Sequence, residues 1–129
     1  GNAALAKYNE IARSVWDIIN AAAQAGDVKR VYMLSHTQNS EDGNVKIKTI
    51  GKLLDEKITI EGMFTMVMRT HVNQGEYLFS THNSGHDTVK TPLGMFADDY
   101  IPNDLKAVDA AITDFYGIDA IVNPATNAA

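Results

Sequence analysis

The sequence predicts an α/β domain: a partial layered sheet that ends in an antiparallel hairpin and is flanked by helices. Three observations carry this. Residues 3–25 repeat apolar side chains at three- and four-residue spacing. Residues 31–34 form an apolar run without alternation. Two strand-like segments bracket Asn73-Gln74-Gly75.

The first segment reads as a helix with Leu5, Tyr8, Ile11, Val15, Ile18, Ile19 and Ala22 on one stripe. Asn2 is its expected N-cap and Gly26-Asp27 its stop, and Trp16 beside the stripe is expected to pack. Lys29–His36 follows as a strand. Its Val31-Tyr32-Met33-Leu34 run is the mark of a strand covered on both faces, as in parallel sheets. The end of that strand, Ser35-His36, is abruptly polar. Thr37–Lys46 is predicted to be a mobile loop, and Thr49–Lys57 a short helix with Ile50, Leu53 and Leu54 inward.

Ile58–Thr70 and Glu76–His82 come next, strand-like at Met63–Met68 and Tyr77–Phe79, with the hairpin turn between them. Asn83–Val89 is a second polar loop, and Lys90-Thr91-Pro92-Leu93-Gly94 leads out of it. Pro102 opens a final helix with Asn103 as its cap. Leu105, Val108, Ile112 and Phe115 form its stripe, and Gly117 stops it. The reading is one domain over residues 1–117 and a flexible tail over 118–129. A parallel strand needs neighbours on both sides, and three strands barely supply them. The chain is therefore expected to oligomerise or to be the C-terminal part of something larger.

A length of 129 residues suffices for one core, and 45% apolar with 21% charged residues is ordinary for a globular domain. No run of eighteen apolar residues occurs, so no membrane span is expected, and Gly1-Asn2-Ala3-Ala4 does not read as a signal peptide. The absence of cysteine excludes disulfides, thiolate chemistry and cysteine-based zinc sites, and fits a cytoplasmic protein. A net charge of −5 argues against a generally basic nucleic-acid binder. Even so, Lys46, Lys48, Lys52 and Lys57 gather within twelve positions, either as a local basic patch or as a solvated face balanced by Glu41, Asp42, Asp55 and Glu56.

That lysine-bearing, glycine-containing stretch around Asp42–Gly51 follows the predicted buried strand, where α/β proteins place ligand groups. Neither GxxxxGK[ST] nor GxGxxG occurs. His82, His86 and Asp87 invite a metal reading, but they lie in a loop and nothing fixes a tetrahedral geometry. A nucleophilic triad built from Ser35 or Ser80, a histidine and an aspartate lacks the glycine pattern of a nucleophile elbow. Lys90, after a polar loop and anchored by Pro92 and Gly94, is placed to reach an anion on a neighbouring molecule, or is a surface lysine.

Four ordered blocks, VYMLSHTQ, KIKTIGKLLDEKITIEGMFTMVMRT, EYLFSTHNSGHDTVKTPLGMF and IPNDLKAVDAAI, resemble the C-terminal half of RecA-type ATPases carried by phages and associated with single-strand annealing. The resemblance covers roughly residues 8–117. It implies a P-loop ATPase core that works as an oligomer on single-stranded DNA in the bacterial host cytoplasm. Ser35 or His36 would sense the γ-phosphate, with Gln38 close by. The loop that carries Lys46, Lys48 and Lys52 would face DNA. Lys90 would reach the neighbouring subunit's ATP, where a cation supplied in trans stabilises the transferring phosphoryl group. Implied cofactors are ATP and Mg in a full-length parent, and implied partners are further copies of the chain, single-stranded DNA and a phage annealing or single-strand-binding protein. The family's Walker A loop and Walker B aspartate would both lie upstream of Gly1. The chain alone is thus expected neither to hold ATP nor to hydrolyse it, and its open sheet edge invites dimerisation.

Two other readings compete. One is a catalytically silent protein-interaction module of the same fold. The other is a small metal hydrolase using His82, His86 and Asp87, which requires stoichiometric bound metal.

Overall fold

The computed structural model describes residues 1–26, 29–49 and 59–118. The architecture is mixed α/β, and among the described residues it contains two helices and two small antiparallel sheets. The chain divides into two compact units, Gly1–Phe64 and Thr65–Ala129. All but the first residue of the predicted helix over 49–57, and all but the first of the tail over 118–129, lie outside the described residues.

The first unit opens with helix α1, Asn2–Ala23, rich in alanine and long unbranched side chains that lose little freedom in a helix. Asn2 lies inside the first turn and is not its cap. The N–H groups of Ala4 and Leu5 bond to the carbonyl of Gly1 at 3.2 and 3.4 Å, without a side-chain cap. The predicted stripe is buried only near its C-terminal end, at Ile19, with Val15 and Ala22 half-buried. Leu5, Tyr8, Ile11 and Ile18 are exposed, and Trp16, expected to pack, is exposed too.

Residues 31–34 correct the prediction of a buried strand. They join no ladder among the described residues, and all four side chains are exposed, Leu34 to 88%. An apolar run becomes a strand only where a neighbour takes its N–H and C=O groups. Residues 31–34 belong to no strand ladder among the described residues, so apolarity alone does not suffice.

The loop predicted over 37–46 is instead a hairpin. Strands β1 (Thr37–Asn39) and β2 (Val45–Ile47) pair antiparallel, Gln38 opposite Lys46. Its turn is held from within. The N–H of Ser40 bonds the Asn44 carbonyl at 2.8 Å, and Gly43 adopts a φ of 81° that favours glycine. The Asp42 carboxylate accepts from the Ser40 hydroxyl, and from the N–H and side-chain amide of Asn44 at 3.2 and 2.7 Å. A short 3-10 turn, Ile60–Met63, sends Glu61 back to accept from the Ile47 N–H at 2.9 Å.

The second unit is a three-stranded sheet in the order β3 (Arg69–Asn73), β4 (Glu76–Ser80), β5 (Tyr100–Pro102), followed by helix α2 (Leu105–Tyr116). The hairpin turn falls where predicted, with Gln74 and Gly75 at φ 49° and 85°, both positive as a type I′ turn requires. β3 is displaced from the predicted strand-like segment Met63–Met68: Met63 ends the 3-10 turn, Val67 makes only an isolated bridge, and the strand begins at Arg69 and runs to the turn at Asn73. β5 is absent from the sequence reading, which gave Pro102 to the helix. Pro102 instead ends an edge strand, where its missing N–H costs no ladder bond. The helix cap is Asp104, not Asn103: its carboxylate accepts from the Lys106 N–H at 2.9 Å. Gly117 does end the helix, at φ 65°, with Gly117 N–H to Asp114 O and Ile118 N–H to Thr113 O closing a Schellman motif.

Alternation sorts the sheet into two faces. Phe79, Thr81, Val89 and the half-buried Ile101 lie on one and, among the described residues, share this unit's interior with Val108 and Thr113 of α2; Ser80, on the other face, is buried too. Arg69, His71 and Tyr100 lie on the other and are exposed.

Candidate functional site

The residues assigned from sequence fall into two groups, one in each unit. In the first, the β1–β2 hairpin gathers Ser35, His36, Gln38, Lys46 and Lys48. Its root is a bond from the Lys48 N–H to the His36 carbonyl at 2.7 Å. The cross-strand pair Gln38–Lys46 places both side chains on one face of the hairpin, each half-buried. Ser35, His36 and Lys48 are exposed, and the Ser35 hydroxyl donates to the His36 carbonyl at 3.2 Å. A serine so engaged next to an exposed histidine offers hydrogen bonds to a ligand. Lys52 lies outside the described residues.

In the hairpin turn, the Asp42 carboxyl titrates below its ordinary value of 3.8. The Ser40 hydroxyl is the main cause, followed by the Asn44 N–H and side-chain amide, because each stabilises the ionised form. This fixed negative charge stands at the tip, and the lysines stand lower on the strands.

Lys90 belongs to the second unit. It forms an antiparallel bridge with Val67, N–H to O at 2.8 and 2.9 Å, and is half-buried. Register carries its side chain to the face shared by Arg69 and His71. The polar loop before it, residues 83–88, is tied by its own side chains. Ser84 donates to Asp87 at 2.6 Å, Gly85 N–H to Asn83 at 2.7 Å, and Val89 N–H to Asp87 at 3.0 Å. Asn83 in turn donates to the Asp87 carbonyl at 2.8 Å.

The metal reading gains no support from this geometry. Both Asp87 oxygens are engaged within the loop, and no group of three metal-binding side chains converges among the described residues. His82 turns instead to Asp99 and to the fully buried Thr81. Thr81 gives its single proton to the Asp98 carbonyl, which makes His82 Nδ1–H the donor, 2.9 Å from Thr81 Oγ1 and 3.3 Å from Asp99. Ser80, the alternative nucleophile, is buried within the sheet.

The sequence reading passed over Arg69, His71 and Tyr100. The rings of His71 and Tyr100 meet with centroids 5.2 Å apart at 33°, reaching across β4 from its two neighbours. Ser80, between them, is small enough to leave room. The available signal was the alternation Arg69–His71 ahead of the Asn73-Gln74-Gly75 turn. Tyr100 carried none, because β5 itself was not foreseen.

Among the described residues, no helix is long and apolar enough to cross a membrane. Comparison with protein families, with curated proteins and with solved structures finds no match to this chain.

Proposed function

We propose that the chain is the C-terminal part of a phage RecA-type ATPase that acts in DNA recombination, binding ATP between subunits and single-stranded DNA. One observation carries this reading. Residues 31–34 lead, apolar and exposed, into the polar pair Ser35-His36, and the α1 stripe is exposed at Leu5, Tyr8 and Ile11. Apolar surface of this extent on two consecutive elements marks a missing layer. A core whose central strands and P-loop come from further chain would supply that layer, and the exposed segment would then be an inner strand ending at a phosphate sensor.

In this reading Ser35, His36 and Gln38 stand at the strand end near the γ-phosphate. Lys46 and Lys48, with Lys52 beyond them, take DNA phosphates. Lys90 reaches the nucleotide of the adjacent subunit. ATP and Mg belong to the parent assembly, in the bacterial host cytoplasm, and an annealing or single-strand-binding protein is its partner on DNA.

The same uncovered surface favours one second reading, a nucleotide-free module whose apolar face binds another protein. The intact mass of the natural gene product, read beside its coding frame, separates the two. A product longer by roughly a hundred residues with GxxxxGK[ST] upstream supports the ATPase. A product that starts near Asn2 overturns it in favour of the module.

A further inference from the structure

The exposed face of the β3–β4–β5 sheet has no role in the assignments above beyond Lys90 at its border. A sheet face turned to solvent ordinarily carries small polar or mixed charged side chains. This one instead carries two rings in mutual contact, His71 and Tyr100, with Tyr100 still 50% exposed. Arg69 lies in the same cross-strand row as Tyr100, directly opposite Ser80 on β4 between them. Lys90, opposite Val67, is the next cation along that face.

Neither Arg69 nor Lys90 has an acidic partner among the described residues. Asp99, adjacent in sequence to Tyr100, is turned to His82. Glu76, the acid that register places on this face, sits at the hairpin end opposite Asn73, beyond the rings. The result is a rigid strip that runs from unpaired cations to a stacked pair of rings. Like charges held as diagonal neighbours repel unless an anion lies between them.

We propose that this face binds single-stranded nucleic acid, with phosphates at Arg69 and Lys90 and a base stacked on the His71–Tyr100 pair. Rings on an open sheet accept a base of any identity, because every base presents a flat face, while cations beside them follow the backbone. Duplex fits poorly, because its bases are already stacked. The face shares its nucleic-acid partner and Lys90 with the function proposed above, but it needs neither a bound nucleotide nor the lysines of the β1–β2 hairpin.

The test is fluorescence anisotropy of a dye-labelled oligo-dT with the 129-residue chain at low salt. Tyr100→Ala is expected to weaken binding about tenfold or more, and Tyr100→Phe, which keeps the ring, to stay within about threefold of wild type. Arg69→Gln is expected to weaken binding and to lower the slope of log K against log salt by about 0.7, one phosphate contact on a single strand. Circular dichroism confirms that each variant is folded. Absence of binding by the wild-type chain overturns the proposal, as does wild-type affinity in both Tyr100→Ala and Arg69→Gln. If those two bind normally while Lys46→Ala with Lys48→Ala does not, the sheet face is excluded and the hairpin retains the DNA.

Discussion

Val67 and Lys90 exchange both backbone hydrogen bonds, at 2.8 and 2.9 Å, across a gap of more than twenty residues. The bridge takes up where β4 leaves the ladder, so β3 gains a second neighbour beyond its hairpin partner. A lysine at the end of a free loop would sample many positions. This one has its Cα fixed on a sheet and only its side chain left to move.

That fixation makes Lys90 the most informative substitution for the proposed ATPase. In a parent chain that carries a P-loop, Lys90→Ala is expected to lower turnover by about 10³-fold, the scale of a cation supplied in trans. Nucleotide binding should stay within a few-fold, because the lysine acts on the neighbour's phosphate as charge develops. Steady-state ATPase assays with a parallel nucleotide-binding titration measure both. Loss of binding along with turnover would place Lys90 beside its own subunit's nucleotide.

Asp42 gives a prediction in pH. Its bonds to Ser40 and Asn44 hold the folded carboxyl below 3.8, so the hairpin tip is favoured wherever Asp42 is ionised in the unfolded chain. That contribution is complete above the ordinary carboxylate range and is lost as pH falls through the depressed folded value. The amide resonances of Asn44 should therefore titrate with a midpoint under 3.8. In Asp42→Asn they should not follow that transition.

Thr81 is 0% exposed, and its hydroxyl bonds the Asp98 carbonyl. Thr81→Val keeps the shape and leaves that carbonyl without its donor, at a cost of about 1–3 kcal/mol. His82 loses its Thr81 contact in the same change and keeps only Asp99. Thermal denaturation should show the drop, and Thr81→Ser should recover part of it by restoring the hydroxyl.

Gln74 occupies a left-handed conformation that asparagine adopts more readily, in a turn type that prefers Asn-Gly. Gln74→Asn is expected to raise stability by about 0.5 kcal/mol, read as a higher melting temperature. Gly75→Ala should lower it by about 1 kcal/mol, since a Cβ there meets the same backbone penalty.

Local chemistry was legible in the sequence where the signal was itself local. Asn73-Gln74-Gly75 fixed the turn, Gly117 ended α2, and the heptad-like spacing of Leu105, Val108 and Ile112 placed that helix. The errors came where structure depends on distant chain. Residues 31–34 read as a covered strand because covering layers leave no trace in the strand's own residues. β5 went unseen because three residues ending in proline carry too little periodicity, and pairing with Leu78–Ser80 is what makes them a strand. The hairpin over 37–47 read as a loop because its polar composition concealed how many of those polar groups bond to one another. The candidate residues at Ser35, His36, Gln38, Lys46 and Lys48 do come together on that hairpin. The sheet face with Arg69, His71 and Tyr100 required a register that no single-sequence pattern supplies.

The loop over residues 83–88 has a consequence for protein engineering. Its shape is held by Asn83, Ser84 and Asp87 bonding among themselves and to the backbone of residues 85–89. A segment that carries its own scaffold is a transferable cassette. Grafted across the gap of another antiparallel pair, residues 82–91 should keep their path and deliver a lysine to a chosen position on a foreign sheet.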